Sequence, residues 1–211
     1  EARQIQGLSR AGKRLMGFCR TNLFKRLESS GQAFLQSIER HILRNHIFLH
    51  ALEKGQSLPI GTQEAELLDS RVYDEDADAL SVTADLFDED EEYTVGATGR
   101  SPLHGMSLQT EDDFKHRAAE VYAEYATQYQ SRFHWLRPAL FVSELAQDLR
   151  KDTQALLKVL KKCGAWDPLR DAKLSALLNL LTRKHPKEKV LVFTQFADTV
   201  RYLEAQLKAR G

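Results

Sequence analysis

The chain has 211 residues, 42% of them apolar, with mean hydropathy −0.45 and 30 basic side chains balancing 30 acidic ones. That length and composition suit a globular protein with one sizeable core or two small ones. No run approaches the ~18 apolar residues of a membrane span, no secretory leader is evident, and Cys19 and Cys163 lack C-x-x-C spacing. A membrane-spanning or disulfide-stapled secreted protein is thereby excluded, and the expectation is a cytoplasmic protein whose two thiols are reduced and buried.

The net charge of zero hides blocks. Residues 1–54 carry 10 Lys and Arg against 4 Asp and Glu, residues 55–113 carry 2 against 16, and residues 114–211 carry 18 against 10. Basic blocks around an acidic insert suit a protein that meets a polyanion; mutual compensation across helix surfaces explains the same pattern.

Residues 1–56 read as basic N-terminal helices divided at Ser29-Ser30-Gly31, where Ser30 caps a second helix bearing Phe34, Leu35, Ile38, Ile42, Leu49 and Leu52. Gly7 to Arg14 fits G-x-x-x-x-G-K, but Arg14 stands where a Ser or Thr hydroxyl would hold Mg²⁺, and no apolar strand precedes it, so a basic helix is the better reading. His46 and His50, with His41 nearby, have the i, i+4 spacing of a metal pair. No third ligand at fixed spacing supports one, and ordinary helix-packing histidines are expected.

Residues 57–109 form an acidic connection, partly irregular, with a short helix at Gln63 to Leu68. Asp74-Glu75-Asp76-Ala77 imitates an acidic helicase box but lies in a solvated acidic run. Residues 110–166 form a long helical pair. Thr110 and Asp113 make a capping box, and Phe114, Ala118, Val121, Tyr125, Tyr129, Phe133 and Leu136 repeat at helical spacing, which predicts a helix of about seven turns. The aromatic stripe is expected to be core, with base stacking as the functional alternative. Arg137-Pro138 breaks the helix, and Leu140 to Leu160 carry a second one to Gly164.

Residues 167–211 read helix, strand, helix. Asp167-Pro168 supplies an N-cap and N1 pair, and Leu174, Leu177, Leu178 and Leu181 form the stripe of a helix about four turns long that Pro186 closes. Lys189 to Thr194 suits a strand buried on both faces of a parallel sheet, and Phe196 to Lys208 returns to helical spacing. A single such strand needs partners, from flanking helices or from another molecule.

Val190-Leu191-Val192-Phe193-Thr194-Gln195-Phe196 resembles motif IV of Swi/Snf-type DNA-dependent ATPases of helicase superfamily 2, and Asp171-Ala172-Lys173-Leu174 resembles the helix before it. Leu23 to Phe34 is similar to the helical segment joining the two RecA-like domains in bacterial members. The resemblance implies a mainly α chain: a multi-helix domain followed by a C-terminal helix-strand-helix unit of an incomplete RecA-like α/β domain. It implies a non-catalytic fragment of an ATP-dependent motor, starting at Glu1 and stopping after a helix at Gly211. The parent would use ATP and magnesium bound outside these residues, with none held here. The implied partners are double-stranded DNA, through its backbone, and the remaining motor domains.

On that resemblance Thr194 and Gln195 are nucleic-acid candidates, beside the N–H groups opening the next helix, and Lys173 is a further one. Local capping by Thr194 and Asp198 is the plainer alternative. Lys25 and Arg26, with Arg20, are expected to line a basic helix surface toward DNA, with Glu28 orienting Arg26. No catalytic residue and no metal ligand is assigned. A helical protein-interaction module that does not touch nucleic acid is the competing function.

Overall fold

The computed structural model describes residues 21–61, 108 and 110–210. The Gly7 to Arg14 run, Cys19, Arg20, the stretch Gln63 to Leu68 where a short helix is expected, and the acidic run through Glu92 lie outside the described residues.

Ser30 divides the first two described helices. Its hydroxyl accepts the Ala33 N–H and separates the helix of residues 21–29 (α1) from Gly31–Glu53 (α2). At 23 residues α2 is about 35 Å long. It buries Ala33, Leu35, Ile38, Ile42, Leu43, Ile47, Leu49 and Ala51, an apolar surface too broad for one neighbour. Two helices cover it: Glu111–Thr127 (α3) and Leu145–Cys163 (α4).

The capping box at the start of α3 is present in full. The Thr110 hydroxyl accepts the Asp113 N–H at 3.2 Å, and the Asp113 carboxylate accepts the Thr110 N–H at 2.9 Å. Phe114, Ala118, Val121, Tyr122 and Tyr125 are all buried and join Ile38, Ile42, Ile47 and Leu157 in a single core. These α3 aromatics are therefore core, as their spacing predicts.

The helix stops earlier than that spacing implies. After Thr127 the chain makes a 3₁₀ turn, Gln130–Arg132, and enters a short strand, His134–Leu136 (β2). This strand pairs antiparallel with Leu58–Ile60 (β1), in the register Leu58 to Leu136, Pro59 to Trp135 and Ile60 to His134. Phe133 and Leu136 are buried as expected, but from a strand and its approach, not from a helix face. Aromatic edges lock the junction: Tyr125 and Phe133 rings lie 4.5 Å apart, Trp135 meets Tyr122 edge-on at 5.8 Å, and the Tyr122 hydroxyl donates to the Ser57 carbonyl at 2.8 Å. Cross-chain pairing here outweighs continuation of the α3 period.

Pro138 opens another 3₁₀ turn, after which α4 runs to Gly164, whose φ of 65° ends the helix. Cys163, the last residue of α4, is exposed, correcting the expectation of a buried thiol: it faces solvent beside that cap. Asp167 caps only the 3₁₀ turn Pro168–Arg170; Asp171 caps the following helix, Ala172–Asn179 (α5), which widens into a π turn over Leu180–Lys184. The last described helix is Ala197–Lys208 (α6).

Between α5 and α6 the expected strand is absent. Residues 189–194 carry no ladder hydrogen bonds, and Leu191, Val192 and Phe193 are exposed, Leu191 at 72% and Phe193 at 90%. The composition of the run favours a strand, but a strand exists only against a partner, and among the described residues the sole sheet is the β1–β2 pair. The architecture is thus mainly helical, and no described helix is long and apolar enough to cross a membrane.

The α1–α2 break is also where the C-terminal unit docks. A Cβ on Gly31 would overlap the six-membered ring of Trp166. Gly31→Ala gains at most about 1 kcal/mol of helix propensity and loses about 1–3 kcal/mol to overpacking. The variant is expected to be the less stable one in urea denaturation followed by circular dichroism.

Candidate functional site

The two stretches that carry the family resemblance meet in space. Asp198, in the first turn of α6, is buried and receives two guanidinium groups. Arg40 of α2 approaches with both terminal nitrogens, Nη1 donating to Oδ2 at 2.8 Å and Nη2 to Oδ1 at 3.0 Å. Arg26 of α1 adds Nη1 to Oδ2 at 3.0 Å, and its guanidinium lies 4.8 Å over the Phe196 ring. The hydroxyl of Ser29, at the end of α1, lies 2.9 Å from that of Thr199 and 3.3 Å from that of Thr194.

A second polar chain runs beside the first. The Trp166 indole donates to the Tyr202 hydroxyl at 3.1 Å, and Tyr202 donates to Asp171 Oδ2 at 2.8 Å, while Asp171 Oδ1 accepts the Leu174 N–H as the α5 cap. Burial raises the Tyr202 pKa, and the bond to Asp171 raises it further against the opposing effect of Trp166. Both aspartates thus hold helices α5 and α6 to each other and to α1 and α2.

The five expected nucleic-acid residues separate on this geometry. Arg26 is corrected: at 5% exposure its guanidinium is spent on Asp198 and Phe196 inside the protein, so it is not a surface cation, and Glu28 is exposed away from it. Thr194 is half-buried, its hydroxyl accepting the Phe196 N–H at 3.4 Å and touching Ser29. Gln195 follows it, exposed. Lys25 is exposed on α1 and stands i, i+4 to Ser29, one turn from the Thr194 loop on the same helix face. Thr194 and Gln195 thus lie in the loop that meets Ser29, Lys25 is exposed one turn before Ser29 on α1, and Lys173 is exposed on the first turn of α5. Asp198 does not act as the α6 cap: Phe196 holds the N-cap position without a side-chain bond, and the carboxylate turns inward.

Sequence reading missed Arg40 and offered Asp198 only as a local helix cap. The available signal was Arg40 itself, a charged residue between Ile38 and Ile42 on the buried side of α2, where an internal counter-charge is required. The histidines pack as helix residues. His46 is buried and stacks against Phe114 at 6.3 Å, His50 lies 5.3 Å from the Tyr122 ring, and no group of three or more His, Cys, Asp or Glu among the described residues is arranged to hold a metal.

Comparison of the chain with protein-family models, curated proteins and solved structures finds no match.

The buried cluster makes two predictions. Asp198→Asn removes the carboxylate that two buried arginines share, and the expected loss is about 3–5 kcal/mol in chemical denaturation, against under about 1 kcal/mol for an exposed pair. His41, near Arg26 and Arg44, has its pKa lowered to about 4, first by burial and then by Arg44, with Asp152 opposing. The unfolded chain then binds the proton more readily than the folded one, so this contribution is complete above pH 6.5 and is lost as pH falls toward 4. The loss is at most about 3 kcal/mol, and His41→Gln is expected to flatten the urea midpoint across that window relative to the parent chain.

Proposed function

We propose that this chain is a non-catalytic part of a DNA-dependent, Swi/Snf-type ATPase motor, in which it couples the motor domains and touches the nucleic-acid backbone. One observation carries the reading: the connector-like stretch Leu23 to Phe34 and the motif-IV-like stretch Val190 to Phe196, far apart in sequence, abut each other. Ser29 meets Thr194 directly, and Arg26 reaches Asp198 two residues beyond Phe196. A joint built from a buried, bidentate ion pair is stiff and direction-specific, which suits transmission of domain closure better than a solvated contact does.

The exposed apolar run Leu191 to Phe193 fits the same reading. Held between two helices, it is the composition of an inner strand, and further strands of a RecA-like sheet are the surface it would pair with. The nucleic-acid contribution then falls to Lys25, Gln195, Thr194 and Lys173; such contacts position a duplex without reading its sequence. By the same resemblance ATP and magnesium belong to the parent motor, and the Gly7 to Arg14 run, with Arg14 in place of the hydroxyl that would ligate the ion, is not read as their site. The same exposed run supports a second reading, a helical module that docks a protein partner and leaves nucleic acid alone.

Fluorescence anisotropy of labelled duplex DNA, titrated at low and at physiological salt, separates the two. A phosphate-contacting surface predicts affinity that falls steeply with salt, with Lys25→Ala weakening binding equally for unrelated duplexes and lowering the log–log salt slope by about 1. Absence of binding at low salt, or a Lys25→Ala variant that binds as the parent does, would overturn the backbone-contact role and favour the docking module.

A further inference from the structure

A groove of about 210 Å³ opens among α2, α3 and α4, away from the residues assigned above. Its walls carry two exposed ion pairs: Arg150 of α4 to Glu53 of α2 at 2.8 Å, and Lys115 to Glu111 on α3 at 3.0 Å. Two further lining residues, His46 of α2 and Thr153 of α4, are 4% and 2% exposed, and His46 Nε2 and Thr153 Oγ1 have no hydrogen-bond partner among the described residues. Buried polar atoms in folded proteins nearly always have one, from the protein, a water or a ligand. Both can donate or accept: the hydroxyl by rotation, and the imidazole by tautomer, since burial keeps His46 neutral against the pull of Glu111.

We propose that this groove binds a small zwitterion, an α-amino acid with a polar side chain. The volume corresponds to about seven waters, below the range of about 300–1,000 Å³ for drug-sized ligands, so the occupant is small. Charge selects its class. The groove offers two cations and two carboxylates already paired with each other, so it has no net charge that would favour a simple anion or a simple cation. An ammonium and a carboxylate on one small molecule re-partner both members of a pair, and exposed pairs exchange at little cost. The unpartnered imidazole and hydroxyl then receive a polar side chain, an amide or a hydroxyl.

The test uses the ¹⁵N-labelled chain, titrated at neutral pH with L-serine, L-asparagine and L-glutamine, and separately with inorganic phosphate and ethylamine. Imidazole and backbone amide resonances are followed. The expected result is saturable shifts at His46 and its α3 and α4 neighbours with at least one amino acid, and affinities about tenfold weaker or more for the single-charge probes. Thr153→Val, judged folded by its backbone spectrum, is expected to weaken that binding about tenfold, the worth of one hydrogen bond. Should Thr153→Val not fold, Lys115→Ala at the exposed rim is expected to give a comparable loss. No saturable shift up to ~10 mM, phosphate binding as tightly as the amino acids, or unchanged affinity in the folded variant would overturn the proposal.

Discussion

A single buried carboxylate joins the two parts of this protein. Asp198 lies between Arg40 of α2 and Arg26 of α1, and among the described residues its two oxygens accept three guanidinium hydrogen bonds of 2.8–3.0 Å. Burying such charges carries a desolvation cost that only good geometry and several hydrogen bonds offset. An ion cluster of this kind therefore contributes less to net stability than to orientation: it allows few alternative dockings of α6, because any other would leave arginines in the core without their shared counter-charge. Ser29 with Thr194 and Thr199, and Gly31 against Trp166, refine an arrangement whose direction Asp198 sets.

The helical half has a different logic. Its core is built on α2, whose apolar residues spread around most of the helix, and α3 and α4 supply the cover. The β1–β2 pair closes one end, with Leu58 and Leu136 opposite each other and both buried. Polar satisfaction is handled locally there, through Tyr122 to Ser57 and Trp135 to Gln130. Where α2, α3 and α4 leave the groove lined by His46 and Thr153, that satisfaction is incomplete.

What the sequence made legible was local. Ser30 and the Thr110–Asp113 box announce their helices because the capping partners lie three residues away, and the α2, α4 and α6 stripes follow from the 3.6-residue period. What it hid was non-local. Tyr129 and Phe133 continue the helical spacing of α3 although the backbone has already turned, because the stimulus to turn is a strand more than 70 residues earlier. Residues 189–194 have strand composition with no strand to pair with. Arg26 looks like a surface cation until its partner 172 residues away is known. Of the proposed nucleic-acid residues, Lys25, Thr194 and Gln195 could be named from the chain, but the contact of Ser29 with Thr194 that brings α1 to that loop could not.

The chain contains two tryptophans, and they fall on opposite sides of this division. Trp135 sits in β2 among the aromatic rings that close the helical core, whereas Trp166 bonds to Tyr202 and abuts Gly31 at the docking seam. Each half thus possesses its own intrinsic fluorophore in a distinct environment. With either indole replaced by Phe, emission from the other isolates one half, so the order in which the core forms and the seam closes becomes an optical observable of the unlabelled protein.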